Sequence, residues 1–285
     1  MSILTNNYML NKVFSQNTLK EILKNGDSDI LDTAYASLID SETTSIALKN
    51  KFYNLYSILK KDYRNEYFYK NTMINKLLLG RHSVNTTLAL SEIPLGKSKA
   101  DLVLINGKAV VYEIKTELDS LDRLDNQIQD YYKVFDYVEI ITDESHFNKI
   151  YEKYAKTSVG ISILTKKNTI SQKKKPKKYT DRLNHTAIYK VLRKKERQQL
   201  VSFFYNEIPE FDQFSEYREI QKLFCEIDME KLYVQFLKEL KKRNNMQYYE
   251  QELQTIPYEL KSLIYFSSFK KKEFKILKNS IEEVV

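Results

Sequence analysis

Three residues in one short stretch have the types and spacing for hydrolytic chemistry: Asp101 in ADLVLI, and Glu113 and Lys115 in AVVYEIK. Side chains alternate along a strand, so Val111, Glu113 and Lys115 share one face while Val110, Tyr112 and Ile114 share the other. Between the two runs stands Asn106-Gly107, a dipeptide that favours the type I′ turn of a tight hairpin and predicts antiparallel strands over 100–105 and 109–115. Counting outward with Ile105 near Lys108 places Asp101 close to Tyr112 or Glu113, where the two carboxylates can meet. Charges gathered on one face of an apolar sheet are costly unless they are paired or hold a metal. Oxygen ligands of this kind suit Mg²⁺ or Mn²⁺. Such an ion would polarise a phosphodiester and acidify a water, and the neighbouring ammonium could orient that water or offset developing negative charge. The plain reading of the same residues is a Glu113–Lys115 pair on a solvated edge strand, with Asp101 in a turn.

The elements that would position these groups follow from periodicity. Residues 1 to about 80 carry apolar positions three and four apart (Leu19, Ile22, Leu23; Phe52, Leu55, Tyr56, Leu59; Met73, Ile74, Leu77) and read as helical. From Thr87 to Asp143 come the β-rich runs TLALSEI, ADLVLI, AVVYEIK and YVEIIT. Between the third and fourth, Leu121, Leu124, Ile128, Tyr131 or Tyr132 and Phe135 mark one helical face. A further helix from about Ser145 to Tyr154 and a strand at VGISIL extend the pattern into an α/β core that ends near Thr165. The predicted organisation is an N-terminal helical extension over 1–60, the core over 61–165, a basic linker over 166–200 and a helical region over 201–285.

The stretch from Glu66 to Asp143 resembles the PD-(D/E)XK nuclease superfamily, through ADLVLINGKAVVYEIKTELDSLDRL and a preceding helix with YRNEYFYKN and LLLGRH. The resemblance implies a restriction-endonuclease-like αβββαβ core, a mixed sheet flanked by helices, with helical N- and C-terminal extensions. It places the superfamily's Asp on Asp101, its E-x-K on Glu113 and Lys115, and the acidic residue of the first core helix on Glu66. Ala100 stands where the superfamily's motif has Pro, which is not a ligand. By the same analogy Glu66, Asp101, Glu113 and the carbonyl of Ile114 hold Mg²⁺ or Mn²⁺, and Lys115 acts on the water. Gln127 and Tyr131, a Q-x-x-x-Y pair on one helical face, match a motif that lies beside the active site in one branch of the superfamily. Read without the resemblance, Tyr131 is a core aromatic and Gln127 a solvated side chain.

Other residues rank below these. Glu92 in SEIPL reads first as an exposed strand residue and second as an added acidic contact. Arg81 and His82 could touch phosphate or serve as a surface cap. Asp119, Asp122 and Asp125 read as the acidic start of a helix, where negative charge suits the dipole.

Composition narrows the classes. The five glycines are too dispersed for G-x-G-x-x-G or a phosphate-binding P-loop, and one cysteine with three histidines cannot build a zinc cage or a disulfide framework. No leader pattern or long apolar run stands out, so a cytoplasmic protein with no membrane segment is expected. The net charge of +8 is local, because residues 166–199 hold thirteen Lys and Arg against Asp181 and Glu196, a window of +11. Lys173, Lys174, Lys175, Lys177, Lys178, Arg193, Lys194, Lys195 and Arg197 are the candidates for gripping a phosphate backbone, with Tyr179, Tyr189 and Tyr205 available for stacking. The helices within 216–243 read as support more than as a base-reading helix-turn-helix. The combined expectation is a Mg²⁺-dependent nuclease acting on nucleic acid, DNA above all, in phage defence, mobile-element or repair processes. The competing expectation is a nuclease-fold protein that binds or regulates without cutting. A homodimer or a partner protein held through the helical extensions is a further expectation.

Overall fold

In the computed structural model, residues 3–39, 46–206, 209–267 and 269–282 are described. The chain divides into two compact units: residues 1–83 with 246–285, and residues 84–245. The N-terminal extension predicted over 1–60 therefore shares a unit with only the last part of the helical region predicted over 201–285, whose residues 201–245 belong with the sheet, and the unit predicted to start at 61 starts at 84. The first unit's N-terminal part carries helices Ile3–Val13, Gln16–Asn25, Asp29–Ile39, Leu48–Asp62 and Glu66–Met73, the last running on into a π-helical turn over Ile74–Leu78. Its C-terminal part adds Glu250–Thr255, Lys261–Tyr265 and Lys271–Glu282. Buried Asn71 joins the two parts, giving its amide to the Tyr258 carbonyl (2.9 Å) and accepting from the Ser262 N–H (2.9 Å).

The second unit is a mixed α/β structure built on six strands: β1 (Leu88–Leu95), β2 (Ser98–Asn106), β3 (Lys108–Lys115), β4 (Tyr137–Thr142), β5 (Gly160–Leu164) and β6 (Ile170–Lys174), ordered in space as in sequence. β3, β4 and β5 are mutually parallel and the other neighbours antiparallel. Parallel neighbours need a crossover, and helices Leu124–Tyr132 and Glu144–Tyr154 supply them. Pro94 sits in β1, an edge strand where its missing N–H costs little. The first crossover helix buries Leu124, Ile128 and Tyr131 against the face that carries Val103, Val111 and Val138. Asp136, just before β4, is fixed by Tyr233, whose hydroxyl donates to its carboxylate at 2.6 Å. That bond and the Phe135–Phe236 ring contact seat helix Met229–Lys241 on the sheet unit, and Phe224 of helix Glu216–Glu226 is fully buried in the same core.

Two expectations change. The predicted basic linker is part of the fold: it contains β6 and helices His185–Val191 and Lys194–Tyr205, whose Ile188, Tyr189, Leu200 and Val201 are buried in the core. The β2–β3 hairpin also closes one residue differently from a type I′ turn. Ile105 pairs with Ala109 and Asn106 with Lys108, and only Gly107 takes a positive φ (72°). Among the described residues no helix is long and apolar enough to cross a membrane.

Candidate active site

The one-residue change of register decides which carboxylates meet. With Leu102 opposite Tyr112, the next position outward puts Asp101 across from Glu113, so both project from the same face. The β1–β2 ladder, with Ser91 opposite Leu102 and Ile93 opposite Ala100, puts Glu92 across from Asp101 in the same way. Three carboxylates thus stand in a row across three adjacent strands, just past the end of the apolar core. The row is anchored at Asp101, whose Oδ2 accepts from the Ile114 N–H at 2.7 Å. Carboxylate oxygens of Glu92 and Asp101 lie within 4.8 Å of each other.

Glu113 is 1% exposed, and its two oxygens have different partners. Lys115 Nζ lies 2.7 Å from Oε1, and the Tyr131 hydroxyl 2.5 Å from Oε2. The Gln127 amide bonds the same carboxylate, and Gln127 Oε1 is buried without a partner among the described residues. Burial raises the Glu113 carboxyl above its ordinary range against the opposing pull of Lys115. The same burial, reinforced by Glu113, raises the Tyr131 phenol. Tyr131 also lies 2.9 Å from the Lys99 carbonyl, so its single proton faces two acceptors.

The crossover helix holds the hairpin from a second point. Asp130 accepts from the Lys97 N–H (3.1 Å) and the Ser98 hydroxyl (2.9 Å), and it pairs with Lys133 at 2.8 Å. Burial alone would raise its carboxyl, but these bonds outweigh burial and hold it low. Gly96, with φ 65°, makes this close approach feasible, because a Cβ there would stand 2.9 Å from Asp130 Oδ1. Tyr131 and Asp130 therefore grip β2 at its carbonyl and at its turn.

Of the residues predicted for the site, Asp101, Glu113, Lys115, Gln127, Tyr131 and the backbone of Ile114 converge. Tyr131 is both core aromatic and site residue, being fully buried while it bonds Glu113. Glu66 belongs to the other unit, where it opens helix Glu66–Met73 and pairs with Lys70 at 2.9 Å. Asp119 caps the turn after β3, accepting from the Thr116 N–H and hydroxyl (both 2.8 Å), and Asp125 pairs with Lys153 and Tyr154. Glu92 carries more than its sequence position suggested. It has φ 57°, a conformation unusual for a non-glycine strand residue, and pairs with Lys99 at 3.1 Å.

The basic candidates divide. Lys174 is consumed by structure: its ammonium donates to the carbonyls of Tyr154, Thr157 and Val159, closing the end of the second crossover helix. Lys194 pairs with Glu216, and Arg197 donates to the Leu192 carbonyl while packing on the rings of Tyr189 and Tyr217. Tyr189 is buried, so its ring is not open for stacking with a base. Lys173, Lys175, Lys177, Lys178, Arg193 and Lys195 are exposed.

The carboxylate oxygens of Glu92, Asp101 and Glu113 and the orphaned Gln127 Oε1 are hard oxygen donors that fit a divalent cation, with Lys115 beside them as a charge and not as a ligand. Fold and site define a mixed α/β protein with an acid-and-lysine cluster on its six-stranded sheet. Within that class the chain belongs to the Bacteriophage P4 protein cII family, whose profile matches residues 59–265. No curated protein and no solved structure matches it.

Proposed function

We propose that this chain is a divalent-metal-dependent nuclease that hydrolyses phosphodiester bonds, with Asp101, Glu113 and Lys115 at its centre. The supporting observation is the register that sets Asp101 across from Glu113 while Lys115 pairs with Glu113 at 2.7 Å. The succession of a helix, three antiparallel strands, a crossover helix and a parallel strand supports the PD-(D/E)XK reading of the same residues. Asp101, Glu113 and the Ile114 carbonyl would hold the ion, with Glu92 close by. A bound Mg²⁺ or Mn²⁺ supplies positive charge that polarises the phosphate and acidifies water. The chain's own groups do the rest. Lys115 orients the attacking water and offsets charge on the phosphate oxygens, Tyr131 and Gln127 fix the Glu113 carboxylate, and the Ile114 N–H fixes Asp101. Exposed Lys173, Lys175, Lys177 and Lys178 lie in the segment suited to a phosphate backbone.

The test is incubation of wild type, Asp101→Ala and Lys115→Ala with circular DNA, linear DNA, single strands and RNA, with and without Mg²⁺ or Mn²⁺. Metal-dependent cutting by wild type that falls by roughly 10²- to 10⁴-fold in both variants is the expected result. Equal cutting by wild type and both variants sinks the assignment. Salt-sensitive binding without cutting, indifferent to metal, selects the non-catalytic reading instead.

A further inference from the structure

A pocket in the sheet-bearing unit lies between helices Lys194–Tyr205 and Met229–Lys241, with a volume of about 550 Å³. That size is typical of small-molecule sites. One helix contributes Lys195, Gln199 and Phe203 at positions i, i+4 and i+8; the other contributes Gln235 and Glu239, followed by Lys242 at its C-cap. Glu239 is 1% exposed, in a seam between amphipathic helices where an apolar residue would pack at less cost. Its Oε1 accepts from Lys242 (2.6 Å) and Gln235 (3.2 Å). Its Oε2 has no partner among the described residues. A buried carboxylate oxygen left without a donor is expensive, which points to a donor brought by a ligand.

The remaining groups say what else the ligand carries. Phe203, 60% exposed, lines the same pocket as the buried acceptor. Lys195 is exposed and makes no ion pair among the described residues, and Lys242, though paired with Glu239, has a side chain that is 60% exposed. A buried acceptor, a flat apolar wall and two ammonium groups at the rim match a base with an N–H edge, a π-face and a phosphate. We propose that this pocket binds a guanine nucleotide. Guanine N1–H and the exocyclic amine donate to Glu239, the base lies on Phe203, and Lys195 with Lys242 takes the phosphate. Adenine and cytosine each set a ring acceptor beside their amino group, and that lone pair would face the carboxylate.

Calorimetric titration of the full-length protein with GMP, AMP and CMP tests this. Saturable GMP binding, about 10-fold or more tighter than AMP or CMP, is expected, since losing a hydrogen bond to a charged group costs about that factor. Glu239→Gln is expected to weaken GMP by a similar factor, and Phe203→Ala, at an exposed position that leaves the fold undisturbed, to weaken it severalfold. Lys195→Ala weakens GMP but not guanosine. Asp101→Ala leaves GMP binding unchanged, which separates failure here from failure of the nuclease reading. No GMP binding at millimolar concentration, equal affinity for GMP and AMP, or undiminished binding by a folded Glu239→Gln variant overturns the proposal.

Discussion

Glu113 and Glu196 are both buried carboxylates paired with a cation in the same unit, yet their surroundings have opposite effects. Glu196 takes a two-point contact from Arg243 (2.7 and 2.5 Å) and the Arg193 N–H at 2.7 Å. Burial opposes its charge, but these donors overcome it and hold the carboxyl below the usual range. Glu113 has a lysine in place of the planar guanidinium fork and a phenol in place of the backbone N–H, and burial prevails, leaving its carboxyl raised. A carboxylate saturated by rigid donors is a structural tie. One left with a raised pKa beside a compact ammonium retains capacity for chemistry.

The widest separation between the two should come from removing each cation. Lys115→Ala is expected to lower cutting by roughly 10²- to 10⁴-fold with little loss of stability, because Glu113 protonates easily when its partner goes. Arg243→Ala is expected to cost about 3–5 kcal/mol in denaturant unfolding while leaving the cutting rate per folded molecule unchanged. If Arg243→Ala were neutral for stability, or Lys115→Ala unfolded the protein, the contrast would fail. Tyr131→Phe removes one bond to Glu113 and should slow cutting about 10-fold, measured under single-turnover conditions. A milder effect follows from pH. A protonated Glu113 lacks the charge the site needs, so cutting declines as pH falls through a value above the ordinary Glu pKa of about 4.3. The same raised value makes the metal-free protein lose stability as pH rises through that window, since the folded state binds the extra proton. A pH–rate profile whose acid limb sits at an ordinary carboxylate value would remove Glu113 from the chemistry. The smallest expected change separates the lysines. A combined Lys177→Ala and Lys178→Ala variant lowers the salt slope of DNA binding by about 2 with stability unchanged, whereas Lys174→Ala lowers stability by about 1 kcal/mol or more.

Much of this geometry is legible in the chain. Alternation along AVVYEIK places Glu113 and Lys115 together, and the Leu124, Ile128, Tyr131 spacing sets the crossover helix on the sheet. The register escaped by one residue, because Asn-Gly favours a two-residue turn but long-range packing of β2 and β3 decides where the ladder closes. That slip is why Tyr112 was as good a neighbour for Asp101 as Glu113. The strained backbone of Glu92 had no local signal, since a φ of 57° in a strand is imposed by neighbours. Nor could composition separate Lys174 from the lysines on either side; three carbonyls from distant residues select it. The union of residues 1–83 with 246–285 rests on contacts such as Gln16 to the Leu263 carbonyl, 247 residues apart, beyond any local pattern.

The bond from Tyr233 to Asp136 has a consequence for the order in which the molecule is made. Asp136 stands at the entry to β4, immediately after the helix that holds the carboxylate row, and its partner lies 97 residues later. A chain still on the ribosome must extend through helix Met229–Lys241 before that buried carboxyl gains its phenol. Nascent chains cut short before residue 233 carry every catalytic candidate of the sheet but lack the tie between the entry to β4 and helix Met229–Lys241. A chain translated past that tyrosine is the first in which this buried contact can close.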